Sequence, residues 1–224
     1  MSDLRLYDTA DGSHSLFSER FGVTYHSKYG AIQETQHVFI NKGLRYKAVV
    51  QRDIAVLDIG MGTGLNAFMT LLEAEKRDLH VTYVGVEAYP PAPEILARLN
   101  YVAELQVPQY DAAFTRLHTL APGAEEYLTP HFRVLKLRRA IESVRFKQAF
   151  DLIYFDAFAP EAQPELWTKT VLQRMYQALQ PGGALLTYCA KGVVKRTLRS
   201  VGFEVESLKG PPGKREMTRA LRLG

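Results

Sequence analysis

An α/β fold with a mostly parallel sheet is predicted by three features of the sequence. From Ile54 onward, short apolar runs alternate with helical stretches, the pattern left by successive βαβ units. The glycines of Gly60-Met61-Gly62-Thr63-Gly64 stand between the first apolar run and a helical stretch, where bare backbone can turn sharply and approach a ligand. An acidic residue, Glu87, ends the next apolar run, at the strand tip where open α/β sheets gather their ligands.

Residues 1–50 are rich in Ser, Thr, Tyr and Gly and carry β-type runs at 21–25 and 37–40, which predicts a small strand-rich N-terminal extension. Residues 51–224 form the predicted main domain. Its strands fall at 55–59, 81–87, 132–137, 151–155 and 184–189, each a short apolar run. Its helices fall at 64–75, 92–107, 164–179 and 192–200. Two last strands, near 203–208 and 217–221, flank KGPPGKRE, whose Pro-Pro-Gly marks a turn, so a C-terminal antiparallel hairpin closes the sheet. The sequence shows no repeat, low-complexity tract or long linker.

The 224 residues are 46% hydrophobic, enough for a buried core. No apolar run approaches the ~20 residues of a membrane helix, and the opening MSDLRLYDTADGSH lacks the basic and apolar regions of a signal peptide. A cytoplasmic protein with no membrane partner is expected. Cys189 is the only cysteine, which excludes an intrachain disulfide and a multi-cysteine metal site, and no metal is expected. The net charge of +4 is unevenly spread: residues 191–224 hold nine Lys/Arg against three Glu, and residues 131–147 hold six against one. Such patches attract phosphate backbones, and they also form ordinary solvated faces.

The spacing of the glycine loop discriminates between ligands. A dinucleotide fingerprint has its third glycine at the sixth position, which here is Leu65, so a dinucleotide is disfavoured. Glu87 at its strand tip can accept both hydroxyls of a ribose, its alternative being a solvated loop position. In FDLIYFDAFAPEAQPELWT, residues 150–168, Asp156 follows an apolar strand and would face a ligand from that tip. A carboxylate there can orient an amine and accept the proton that an alkylamine must lose before its lone pair can attack. The alternative is a cap on the following helix.

Together the glycine loop and Glu87 resemble motifs of the class I S-adenosylmethionine methyltransferases. The resemblance implies a Rossmann-like sheet and S-adenosyl-L-methionine as cofactor, with its methionine part over Gly60, Gly62 and Gly64, its ribose on Glu87, and Asp156 beside it. Asp58 in VLDIG matches the position that in this class helps hold the loop or the cofactor's amino group, and a plain loop acceptor or helix cap is the alternative. The segment VLKLRRAI at 134–141 has no acid where this class often meets the adenine amino group, which leaves backbone groups and an apolar wall such as Ile141. Asp156-Ala157-Phe158-Ala159-Pro160 lacks the Asp/Asn-Pro-Pro-Tyr/Phe motif of enzymes that methylate exocyclic base amines. Cys189, in the apolar run LLTYCAK, reads as buried structure rather than as the thiolate of a pyrimidine carbon methyltransferase.

Four segments in order are similar to the MnmC-type methyltransferases, which finish the methylaminomethyl group of the tRNA wobble uridine: IQETQHVFI at 32–40, DIGMGTGLN at 58–66, FDAFAPEAQPELWT at 155–168 and GKREM at 213–217. The resemblance implies methyl transfer to an aminomethyl uridine presented by an anticodon loop. Asp156 would be the base, Glu34 and Phe158 would lie on the substrate side, and Lys214 and Arg215 would meet tRNA phosphates. Bifunctional members add a flavin oxidase; no second fingerprint appears here, so the stand-alone methyltransferase without flavin is the form implied. Trp167 serves equally well as a helix anchor or a substrate contact. Two other classes stay open. A polyamine-synthase-like aminopropyltransferase usually has an acid in the glycine loop, where this chain has Met61, Thr63 and Leu65. A non-catalytic RNA-binding module of the same fold would keep the sheet without turnover.

Overall fold

The structure, a computed structural model, describes residues 3–224. Three short strands, β1 (Leu4–Asp8), β2 (His14–Ser18) and β3 (Val23–Thr24), form a small antiparallel sheet. A helical segment follows without a break: α1 (Ala31–Thr35), a π-helix (Gln36–Leu44) and α2 (Arg45–Lys47). Next come β4 (Asp53–Ile59), α3 (Leu65–Arg77) and β5 (His80–Val86), then the short helices α4 (Pro93–Leu96), α5 (Tyr101–Glu104) and α6 (Asp111–Thr119). The chain continues through β6 (Glu125–Thr129), β7 (Phe132–Leu137), β8 (Phe150–Phe155), α7 (Lys169–Ala178) and β9 (Leu179–Thr187). It closes with α8 (Gly192–Ser200), β10 (Glu204–Lys209) and β11 (Glu216–Leu221).

The main sheet has the order β10-β11-β9-β8-β4-β5-β7-β6. Five of these strands, β4, β5, β7, β8 and β9, pair in parallel, while β6, β10 and β11 join antiparallel. This is the α/β sheet with a C-terminal antiparallel hairpin that the alternating pattern predicts. From β4 the chain builds outward to β5 and β7 on one side, then returns to β8 and β9 on the other. The switch therefore lies between β4 and β8, and the crevice at their carboxyl ends is where such sheets bind ligands. The backbone N–H of Asp156 donates to the carbonyl of Ile59 at 2.9 Å, which keeps those two tips side by side.

One face of the sheet is covered by α3, the π-helix and α6, with Phe39, Phe68 and Phe114 among the buried side chains. The other is covered by α7 and α8, with Trp167, Leu172 and Leu198. The near-continuous apolar runs of β4, β5 and β8 follow from this, because parallel strands covered on both faces have no solvated side.

Three parts of the structure depart from the sequence reading. The run at 37–40 is not a strand: it lies in the π-helix, where Val38, Phe39 and Ile40 are all buried. A short apolar run has the same appearance in either state, and here the Phe39 ring settles against Tyr154 of β8 with centroids 4.9 Å apart. The single helix expected at 92–107 is split into α4 and α5 around Asn100. That side chain instead accepts from the His14 N–H at 2.8 Å and donates to the Gly12 carbonyl at 2.9 Å, docking the β1–β2 turn. At 164–179, a 3-10 turn (Pro164–Trp167) precedes α7, which starts late because Thr168 caps it by accepting from the Val171 N–H.

Candidate active site

Gly60, Gly62, Glu87, Ile141, Asp156 and Phe158 all line one cleft at the carboxyl ends of β4, β5 and β8. The loop after β4 can take its path only with glycine at its first position. Gly60 has φ 85°, and a Cβ there would come within 2.8 Å of the Asp156 carbonyl oxygen. Gly62 has φ 49°, and its N–H donates to Glu87 Oε2 at 3.0 Å, tying the loop to the tip of β5. The Tyr89 N–H donates to Glu87 Oε1 at 2.9 Å. Burial raises the Glu87 pKa and these amides oppose the rise. Each carboxylate oxygen keeps a further lone pair for a ribose hydroxyl. The bare-backbone cradle and the acid beside it fit an adenosyl cofactor.

Asp58 and Gly64 lie outside that lining. Asp58 is fully buried beneath the loop, where the Tyr83 hydroxyl donates to its Oδ2 at 2.7 Å. Burial pushes its carboxyl up to about 7 against the pull of that hydroxyl. Gly64, with φ 74°, precedes α3 and packs on His118, whose Nε2 meets the Thr63 carbonyl at 3.0 Å and braces the loop from behind.

Asp156 stands at the β8 tip between the cleft and the N-terminal extension. Asn66, in the first turn of α3, donates to its Oδ2 at 2.9 Å, and the Thr35 hydroxyl donates to Asn66 Oδ1 at the same distance. Burial first, then the negative charges of Glu34 and Asp58, push the Asp156 carboxyl up to about 8, opposed by Asn66 and Lys214. The Phe158 ring packs against Phe21 and Tyr25 of the extension, with centroids 5.3 and 5.0 Å away. Its carbonyl accepts from Trp167 Nε1 at 2.7 Å, so Trp167 is an anchor for this loop.

Glu34 and Lys214 meet. Glu34 is buried, its Oε1 accepting from Lys214 Nζ at 2.5 Å and its Oε2 from the Ser27 N–H at 2.8 Å. The Lys214 ammonium also lies 3.8 Å from the centroid of the Tyr188 ring, whose hydroxyl donates to the Ala157 carbonyl at 2.9 Å. Lys214 is thus turned inward, whereas the adjacent Arg215 is exposed. Nearby His26 is buried against Ser15, and burial pushes its ring down to about 4, so it is neutral at physiological pH.

Sequence reasoning missed Asn66, Tyr188 and Glu142 as members of this region. Asn66 ends the quoted DIGMGTGLN segment, and its spacing from the glycines was the available signal. Tyr188 was hidden inside an apolar strand run. Glu142 stands one residue beyond the acid-free segment at 134–141 and lines the cleft with Ile141.

With the fold and cleft established, the comparisons place the chain. The profile of the family described as S-adenosyl-L-methionine-dependent methyltransferase matches residues 98–222, and the protein belongs to that family. The tRNA 5-methylaminomethyl-2-thiouridine biosynthesis bifunctional protein MnmC of Cupriavidus necator is 33% identical over 218 residues, which is 90% of this chain and 32% of that protein. The chain therefore spans about a third of the length of the curated relatives it matches. The crystal structure of MnmC2 from Aquifex aeolicus superposes with a TM-score of 0.76 at 28% identity, covering 98% of this chain and 70% of that one. Spermidine synthase from Thermotoga maritima, at 16% identity and a TM-score of 0.57, covers 98% of this chain and 68% of that one, and shares the fold. Among the described residues, no helix is long and apolar enough to cross a membrane.

Proposed function

We propose that this methyltransferase acts on the aminomethyl nitrogen of a tRNA wobble uridine, giving a methylaminomethyl uridine. The observation that carries this reading is Asp156: a buried carboxyl lining the cleft at the β8 tip, held by the Asn66 side chain and raised to about 8. The names of the bifunctional relatives and the 28%-identical MnmC2 structure support it. The fold shared with spermidine synthase adds nothing to an aminopropyl reading, because a fold hosts many chemistries.

S-adenosylmethionine, when bound, supplies a methyl group on a sulfonium whose sulfur keeps the C–S electron pair as the acceptor nitrogen bonds to the carbon. Glu87 would hold the ribose, the Cβ-free backbone of the glycine loop would border the methionine part, and Ile141 with Glu142 would border the adenine. Phe158, packed on Phe21 and Tyr25, presents an aromatic face on the base side. Asp156 orients the amine and receives the proton that its nitrogen sheds. In its ionised form a carboxyl raised to about 8 can take that proton, with a smaller than usual gap between it and an alkylammonium. Exposed Arg215 supplies a phosphate contact for the anticodon stem-loop.

The test is methyl transfer from labelled S-adenosylmethionine to tRNA bearing aminomethyl uridine, beside unmodified tRNA and putrescine, with mass spectrometry of the nucleosides. A methylaminomethyl product on the first substrate alone is the expected result. Transfer to unmodified tRNA, or none to any of them despite cofactor binding, would retire the substrate assignment.

A further inference from the structure

Lys214 presents inside the protein the same chemical group as the proposed acceptor. Its primary alkylammonium is held by the Glu34 carboxylate at 2.5 Å and by the face of Tyr188 at 3.8 Å. Neither partner is free to drift. Glu34 is fixed through its second oxygen to the Ser27 N–H, and the Tyr188 hydroxyl is fixed to the carbonyl of Ala157, the neighbour of Asp156 in the chain. An acid, an aromatic face and Asp156 together make a seat for one alkylammonium.

We propose that Lys214 is an internal placeholder, whose ammonium fills the acceptor-amine seat between Glu34, Tyr188 and Asp156 in the free protein and leaves when a substrate ammonium enters. This rests on the reading that the acceptor is an alkylamine, and not on which one. Charge makes the two events an exchange. With Lys214 withdrawn and nothing in its place, the buried Glu34 carboxylate would stand without a cation, which is strongly unfavourable. An entering ammonium removes that penalty, while a neutral molecule does not.

The exit needs only a side-chain rotation. Lys214 is 31% exposed, so its four-carbon stem has a path outward. Its backbone stays in place because the turn before it is wedged against the extension. A Cβ at Gly213, with φ 82°, would fall 2.0 Å from Tyr29, and His37 Nε2 meets the Lys209 carbonyl at 2.8 Å. Once outside, the ammonium stands beside exposed Arg215, where a phosphate can take over the role of Glu34.

The experiment titrates propylammonium and 5-aminomethyluridine into protein saturated with S-adenosylhomocysteine, followed by NMR. It compares wild type, Lys214→Met, Lys214→Gln and, as a control on the exposed start of α7, Lys169→Ala, each first shown by thermal melting to be folded. Both Lys214 variants are expected to bind the amines about tenfold more tightly than wild type, the gain when a competing state occupied nine times in ten is removed. Lys169→Ala is expected to match wild type. Equal or weaker amine binding by both Lys214 variants overturns the placeholder and leaves Lys214 as a strut for Glu34. Methyl transfer to the modified tRNA is scored separately. The amine gain without transfer upholds the placeholder and retires the substrate, and transfer without the gain does the reverse.

Discussion

Replacing Asp156 by Asn moves stability and activity in opposite directions. Burial and the charges of Glu34 and Asp58 raise this carboxyl from 3.8 to about 8. Between those values the folded protein holds a proton that the unfolded chain has released, so the folded state binds more protons and stability falls as pH rises through the window. Linkage is worth about 1.4 kcal/mol per pH unit, so realising half the window leaves a penalty of ~3 kcal/mol near pH 8. Removing it should raise the melting temperature by about 6–12 °C in a domain of this size. An amide at this position still offers an oxygen to the Asn66 side chain, so the local geometry survives. The same change deletes the proposed proton acceptor and should slow methyl transfer by ~100-fold or more with cofactor affinity nearly intact. Melts at pH 5 and pH 8 beside single-turnover transfer make the measurement, and the stability gain should shrink at pH 5. A lower melting temperature at pH 8, or near-normal turnover, would refute the assignment of Asp156 as a destabilised base.

Three further outcomes follow from the cleft. Glu87→Gln removes a charged acceptor and should weaken S-adenosylmethionine binding by about tenfold or more, the scale of a hydrogen bond to a charged group; unchanged affinity by calorimetry would take the ribose away from Glu87. Gly60→Ala places a methyl 2.8 Å from the Asp156 carbonyl on a φ of 85°. It should cost roughly 1–3 kcal/mol of stability and, by displacing Asp156, lower methyl transfer out of proportion to the loss of cofactor affinity; wild-type kinetics would show that the loop and the base are not coupled. Arg215→Ala should reduce the salt slope of tRNA binding by ~0.9, the value for one phosphate contact; an unchanged slope would move the RNA surface elsewhere.

The half of the candidate site proposed to bind the cofactor is local, so the cleft that gathers it is legible in the sequence. Gly60 and Gly62 follow a strand directly, Glu87 and Asp156 end strands, and an open sheet gathers strand ends in one crevice. In the proposed acceptor half the sequence offers Glu34, Asp156 and Phe158 but not their pairings, because those contacts join distant parts of the chain. Nothing in the sequence pairs Glu34 with Lys214, 180 positions apart, or turns Lys214 inward while Arg215 faces out. A run of basic residues reads as one surface, and the structure divides it residue by residue. The π-helix was misread for a related reason. Val38, Phe39 and Ile40 have the composition of a strand, and only packing on the covered face of the main sheet makes them helical. Asn100 looks like an ordinary helix residue until the β1–β2 turn claims its side chain.

The division of the site has a consequence for where substrate choice resides. The proposed cofactor half comes from β4, β5 and the loops at their tips. The proposed acceptor half is assembled from elements at the two ends of the chain: Phe21, Tyr25 and Glu34 from the extension and Lys214 from the C-terminal hairpin, with Asp156 at the seam. One fold hosts many chemistries, so the same sheet can carry a different acceptor by changing what covers it. Substitutions at Phe21, Tyr25, Glu34 or Lys214 should therefore alter which amine is accepted while leaving S-adenosylmethionine affinity close to its starting value. Those at Gly60, Gly62 or Glu87 should lower affinity for the cofactor without changing the ranking of acceptors.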